Sequence, residues 1–93
     1  MNNQGESLRQ AIPDLRNRLR RIEGQARGIQ RMLDEGRSCQ EIITQVAALR
    51  AAVAQVGVTI VSCVLEESIR RAVEHDSDTS AAVEQARKLL SKI

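Results

Sequence analysis

The strongest constraint on this chain is a run of 36 residues, Cys39 to Glu74, with no proline and a single glycine, Gly57. Ser38-Cys39-Gln40-Glu41 opens it as a capping box, with serine at the N-cap and glutamate three residues on. Apolar side chains then recur at alternating steps of four and three: Ile42, Val46, Leu49, Val53, Val56, Ile60 and Cys63, with Leu65, Ile69 and Val73 beyond. That spacing is one continuous helix carrying a heptad-like stripe. At 1.5 Å per residue such a helix is about 54 Å long. A globule of 93 residues has a radius of gyration of about 12 Å. The rest of the chain is too short to cover the whole stripe. The sequence therefore predicts an obligate oligomer. Small residues from Ala47 to Ala54 would let a second helix approach closely.

Two shorter helices flank the long one. Pro13 suits a first helical turn, and Leu15, Leu19, Ile22, Ala26, Ile29 and Leu33 follow at the same four-three spacing. Gly36 is the expected left-handed stop. Residues 1–12 read as a flexible polar lead, and His75 to Asp78 as a polar connector. A last helix is expected from Thr79 to Ser91, with Val83, Ala86, Leu89 and Leu90 as its apolar face. The predicted fold is all-α: a three-helix protomer with helices over about 13–35, 39–74 and 79–91, in a single domain covering 13–93.

Composition excludes several functions. There is no Phe, Trp or Tyr, so there is no stacking platform for single-stranded nucleic acid and no aromatic cage for a cation. No glycine-rich phosphate loop, no Ser/His/Asp set and no CxxC pair occurs, so the chain reads as a non-enzyme without a bound cofactor. The longest nearly apolar run, Val56 to Leu65, has ten residues, against about 20 for a membrane span. No membrane association is expected. Two cysteines without an export signal suggest reduced thiols in the cytoplasm.

The formal net charge is only +2, but it is unevenly placed. Residues 1–37 hold eight arginines against five acids, and from Arg9 to Arg21 five arginines meet one acid, Asp14. Arginine is the side chain suited to bidentate phosphate contact. Arg16, Arg20 and Arg21, with Arg50 on the long helix, are candidate phosphate contacts on charge alone.

Cys39 and Cys63 lie 24 residues apart on one predicted helix, about 36 Å along its axis, and cannot meet within a chain. Two long helices packed antiparallel about a two-fold axis near residue 51 would set residue 39 of one copy opposite residue 63 of the other. Cys39 begins the helix, where unpaired amides and the helix dipole favour a thiolate, and Arg37 is close in sequence. Cys63 sits on the apolar stripe, where core packing accounts for it equally well. His75, the only histidine, falls in a connector.

From Arg18 to Arg50 the chain strongly resembles the CsoR/RcnR family of small all-helical repressors. The resemblance is carried by Arg21-Ile22-Glu23-Gly24-Gln25, Gly28-Ile29, Arg31-Met32-Leu33, Glu35-Gly36, Cys39 and Gln45-Val46-Ala47-Ala48. It continues more loosely to the C-terminus. It implies an antiparallel four-helix-bundle dimer, a dimer of dimers, and operator DNA bound through basic residues on the first two helices, with Arg18 matching a DNA-contact arginine. It also implies release of DNA when an inducer reaches an intersubunit site. Inducers across the family include Cu(I), Ni(II) or Co(II), formaldehyde and reactive sulfur species.

Cys39 matches the family's first inducer ligand. Copper and nickel sensors add a histidine 25 residues later and a cysteine or histidine 29 residues later; here those positions hold Val64 and Ser68. The persulfide-sensing branch lacks that histidine but keeps a cysteine at the last position. Two facing thiols can form a disulfide or polysulfide link, and two thiolates alone can also hold Cu(I) in linear geometry. The expected function is a homotetrameric repressor released by thiol chemistry at an intersubunit pair of Cys39 and Cys63. The alternatives are a Cu(I)-responsive repressor using those two cysteines as metal ligands, or a degenerate member with no inducer.

Overall fold

The computed structural model describes residues 5–93, and all regular structure among them is helical. The order is α1 (Glu6–Asp34), α2 (Cys39–Glu74) and α3 (Ser80–Leu90). Contacts group the chain into two compact units: Asp14–Val56, and the residues up to Pro13 together with Gly57–Ile93.

In the unit Asp14–Val56, α1 ends in a Schellman stop. Gly36 has φ 69°, Arg37 N donates to Met32 O at 3.0 Å, and Gly36 N donates to Leu33 O at 3.3 Å. Two residues later α2 begins. Its first turn is held by Ser38, whose Oγ accepts from Glu41 N at 3.1 Å. Leu15 is buried, and Ile22, Ala26 and Ile29 are half-buried, so this part of α1 packs as expected. Leu19 and Leu33 depart from it, at 46% and 62% exposed.

The other unit changes the reading of the N-terminus. Residues 1–4 of the expected lead lie outside the described residues, but 6–12 are helical and Pro13 lies inside α1. A proline there forfeits one helix hydrogen bond. The turn before it is secured in other ways. Glu6 N donates to Glu67 Oε1 at 2.9 Å, Arg9 pairs with Glu6 at 2.8 Å, and Ser7 is buried. The Glu67 carboxylate thus caps a helix start 61 residues away in sequence, which local patterning does not reveal.

α2 ends in a second Schellman stop built on a non-glycine residue. Asp76 has φ 54°, and Ser77 N donates to Ala72 O at 2.7 Å. Asp78 then caps α3, accepting from Ser80 N at 3.0 Å and Ser80 Oγ at 2.9 Å. These bonds hold the Asp78 carboxyl below its ordinary range. The buried face of α3 is Ala82 and Ala86, with Leu89 half-buried. Val83 and Leu90, expected on that face, are 44% and 47% exposed.

The stripe on α2 divides by heptad position. Ile42, Leu49, Val56 and Cys63, spaced by sevens, are half-buried or buried. Val46, Val53 and Ile60, also spaced by sevens, are 39%, 52% and 37% exposed. The chain covers one seam of its long helix and leaves the other open.

By length and composition α2 is also apolar enough to cross a membrane, with a mean hydropathy of 1.8 over its most apolar 18 residues and 17% of that window buried. This differs from the ten-residue run that the sequence suggested. Within that run the Ser62 hydroxyl is internally bonded, its Oγ donating to Val58 O at 2.9 Å, and so costs an apolar surface little.

Candidate functional site

Cys39 is the first residue of α2 and is exposed. The turn around it is more occupied than the sequence suggested. Arg37 was expected to lend its charge to the thiol. Instead its Nε donates to Glu41 Oε2 at 2.9 Å, and its Nη1 lies 3.6 Å from Glu35 Oε1. The hydrogen bond to Glu41, then its charge, raises the Arg37 pKa. In return Arg37, then Ser38, holds the Glu41 carboxyl below the usual carboxylate range. Glu41 therefore remains an anion in the first turn. It draws on the same helix-end potential that would stabilise a Cys39 thiolate.

Cys63 is buried, with 7% of its surface exposed. Burial, and next the charge of Glu66, pushes its thiol pKa up. In its own unit it lines a cavity of about 300 Å³ with Leu8, Val64, Glu67, Ser68 and Arg71. Its side chain thus faces the interior of its own protomer. Val64 and Ser68, at the family's ligand positions, line the same cavity. Ser68 Oγ donates to Gln85 Oε1 at 3.2 Å. Neither offers an imidazole or thiolate, so the family's usual metal set does not fit here. Among the described residues no group of three or more His, Cys, Asp or Glu could hold a metal ion. His75 is exposed at the end of α2, beside a separate cleft with Arg71, Asp78 and Gln85.

The candidate DNA residues separate into faces. Arg18 is half-buried and its Nε bonds Asp14 Oδ2 at 2.8 Å. Arg18 and Arg21 line one hollow with Ile22, Gln25 and Ala52. Arg16 and Arg20 are exposed on another face of α1, Arg20 reaching Asn17 at 3.5 Å. Arg27 and Arg31 are exposed too, and spacings of four, seven and four from Arg16 put all four arginines on that face. Reading charge density over Arg9 to Arg21 missed this ladder, which its periodicity could have disclosed. Arg50 is exposed on α2 within an apolar hollow of about 410 Å³ formed by Ile43, Val46, Ala47, Ala51 and Ala54.

The profile of a family described as "Metal-sensitive transcriptional repressor" matches residues 11–92. The chain is 41% identical over 56 residues to the copper-sensing transcriptional repressor RicR of Mycobacterium tuberculosis, covering 60% of this chain and 58% of RicR. It is 39% identical over 61 residues to the uncharacterized protein YrkD of Bacillus subtilis, covering 66% of this chain and 97% of YrkD. Among solved structures, the nickel-responsive transcriptional regulator InrS superposes with a TM-score of 0.76 at 32% identity, over 99% of this chain and 97% of InrS. The copper-sensing repressor CsoR of Geobacillus thermodenitrificans gives 0.72 at 27% identity, over 99% of this chain and 92% of CsoR.

Proposed function

The chain belongs to the CsoR/RcnR family of metal-sensitive transcriptional repressors, and from that premise we propose that it is a DNA-binding repressor whose inducer acts through thiols, with Cys39 reacting first. Members of the family are transcriptional repressors, not enzymes. The observation that carries the reading is the contrast at the family's ligand positions. Cys39 stands exposed at a helix start, while Val64 and Ser68 supply no further soft donor.

The chemistry runs in two balanced steps. The Cys39 thiolate attacks a terminal sulfane sulfur of a polysulfide. A Cys39 persulfide forms, and a polysulfide one sulfur shorter leaves. The thiolate of Cys63 of the partner subunit then attacks the sulfur bonded to the Cys39 carbon. A disulfide forms and hydrosulfide departs. Burial and a raised pKa make Cys63 the slower partner. Facing of residues 39 and 63 requires the antiparallel pairing of α2. The open seam of Val46, Val53 and Ile60 supports that pairing. A homotetramer follows if dimers pair again. On this reading residues 13–93 work as one domain, the apolar length of α2 serves assembly instead of a membrane, and the protein acts in the cytoplasm with its operator.

Arg16, Arg18, Arg20, Arg21 and Arg50 remain the DNA candidates, joined by Arg27 and Arg31. From Arg16 to Arg31 the ladder extends about 22 Å, enough to follow several phosphates. A second reading has support in the copper-sensing repressors RicR and CsoR described above: Cu(I) held by Cys39 and Cys63 alone.

The test uses reduced protein bound to a duplex selected from a random-sequence pool. Sodium tetrasulfide and Cu(I) are added separately, followed by intact-mass spectrometry and DNA binding. A Cys39 persulfide, then a covalent dimer, with loss of DNA supports the thiol reading. Unmodified protein that binds stoichiometric Cu(I) and drops DNA supports the second. A protein that holds DNA under both treatments has no inducer of either kind.

A further inference from the structure

We infer that the first turn of α1 is a latch over Cys63, closed by the Glu67 carboxylate, and that opening this latch controls access to the thiol.

Four observations within one compact unit meet here. Glu67 Oε1 accepts the Glu6 backbone N–H at 2.9 Å and also the Arg70 Nη1 donor at 3.2 Å. Gly5 lies against the same side chain: a Cβ there would collide with Glu67 Cγ. Ser7, two residues on, is buried. Leu8, on the same turn, lines the cavity of about 300 Å³ that Cys63 also lines. The turn therefore rests on the thiol's own cavity, and one carboxylate ties it there.

The strength of the tie is modest by design of its parts. Proline at position 13 has no N–H to donate to the Arg9 carbonyl, so one helix bond at the end of that turn is missing. A short helical end separated from its body by such a break opens locally more easily than the helix interior. The Glu67 side chain is 20% exposed, so water can compete for its oxygens. When the turn lifts, the cavity opens and Cys63 meets solvent. The volume suits a small soft electrophile.

This rests on the thiol reading only in treating Cys63 as a reacting group. The latch itself is tested without any inducer. The full chain carrying Cys39→Ser is alkylated with iodoacetamide at fixed pH. The Cys63 thiolate displaces iodide, forming one carbon–sulfur bond, and the rate is followed by mass. Two further substitutions open the latch by different means. Glu67→Ala removes the acceptor. Gly5→Ala forces the Glu67 side chain or the turn aside without changing any charge. Each should raise the alkylation rate by about tenfold, the scale set by losing one charge-assisted hydrogen bond. Helical content by circular dichroism checks that the fold persists; if Glu67→Ala unfolds the chain, Gly5→Ala decides. Rates within twofold of the Cys39→Ser parent overturn the latch. So does acceleration by Glu67→Ala alone, because that marks a charge effect on the thiol and not access.

Discussion

Ser38 and Glu41 hold each other across the first turn of α2. Ser38 Oγ accepts from Glu41 N at 3.1 Å and donates to Glu41 Oε1 at 3.1 Å. One half of the expected capping box is thus present. In the other half the carboxylate takes the hydroxyl and the Arg37 guanidinium. Cys39 sits inside this closed loop of contacts.

The first prediction concerns that loop. Ser38→Ala should lower stability by about 1 kcal/mol, the usual cost of an N-cap, measured by urea denaturation. Glu41→Gln should leave the fold intact and make Cys39 alkylate about two to five times faster at pH 7, because an anion leaves the helix start and Arg37 is freed. The sign with pH follows from the depressed Glu41 pKa. Its contribution is present above the ordinary carboxylate range and is lost as pH falls through its folded value. The first turn should therefore loosen only below about pH 4.

The open seam of α2 gives the second. Val53 is 52% exposed in the isolated protomer, midway between Val46 and Ile60. Val53→Arg should break the assembly, because burying an unpaired charge in a helix seam is expensive. Sedimentation velocity should show a smaller species or loss of helix. An unchanged oligomer would place the interface elsewhere.

DNA contact supplies the third. Arg18→Ala should weaken operator binding and lower the salt-dependence slope by about one. Arg27→Ala with Arg31→Ala should do the same by about two if the ladder on α1 faces phosphates. Fluorescence anisotropy across a salt series separates the two faces of the helix. Whichever substitution leaves the slope unchanged marks a face pointing away from DNA.

A fourth prediction tests the end of α2. Asp76 adopts φ 54°, where glycine is favoured over a residue with a Cβ. Its side chain makes no hydrogen bond or ion pair among the described residues, so Asp76→Gly should stabilise the fold by about 1 kcal/mol. Thermal unfolding monitored by circular dichroism checks it. A fall in stability would mean the aspartate does something there beyond turning the chain.

Much of the fold was legible because its signals are local. Ser38 and Glu41 set the start of α2, and the span Cys39–Glu74 was read correctly from them and from the absence of a breaker. Gly36 marked the end of α1 for the same reason. The start of α1 was not legible. Pro13 looks like a first-turn residue, and the cap that carries the helix past it is Glu67, remote in sequence. Heptad spacing located the stripe on α2 but not which positions the protomer itself would cover. Ile42 and Val46 look alike in sequence, and only packing distinguishes them. At the site, Cys39 was legible as a thiol at a helix start, and the packing adds that it is exposed. The fate of Arg37 was not, since Glu35 and Glu41 compete for it. Cys63 was ambiguous between two faces of one helix, and the packing of its own protomer buries it.

The central claim is that Cys39 carries the inducing chemistry. The most direct measurement compares DNA release by sodium tetrasulfide in the native protein and in Cys39→Ser, on the same duplex and at the same salt. The expected result is release by the native protein and full retention by Cys39→Ser, with equal affinity for DNA before the reagent is added. Equal release by both proteins would contradict the account.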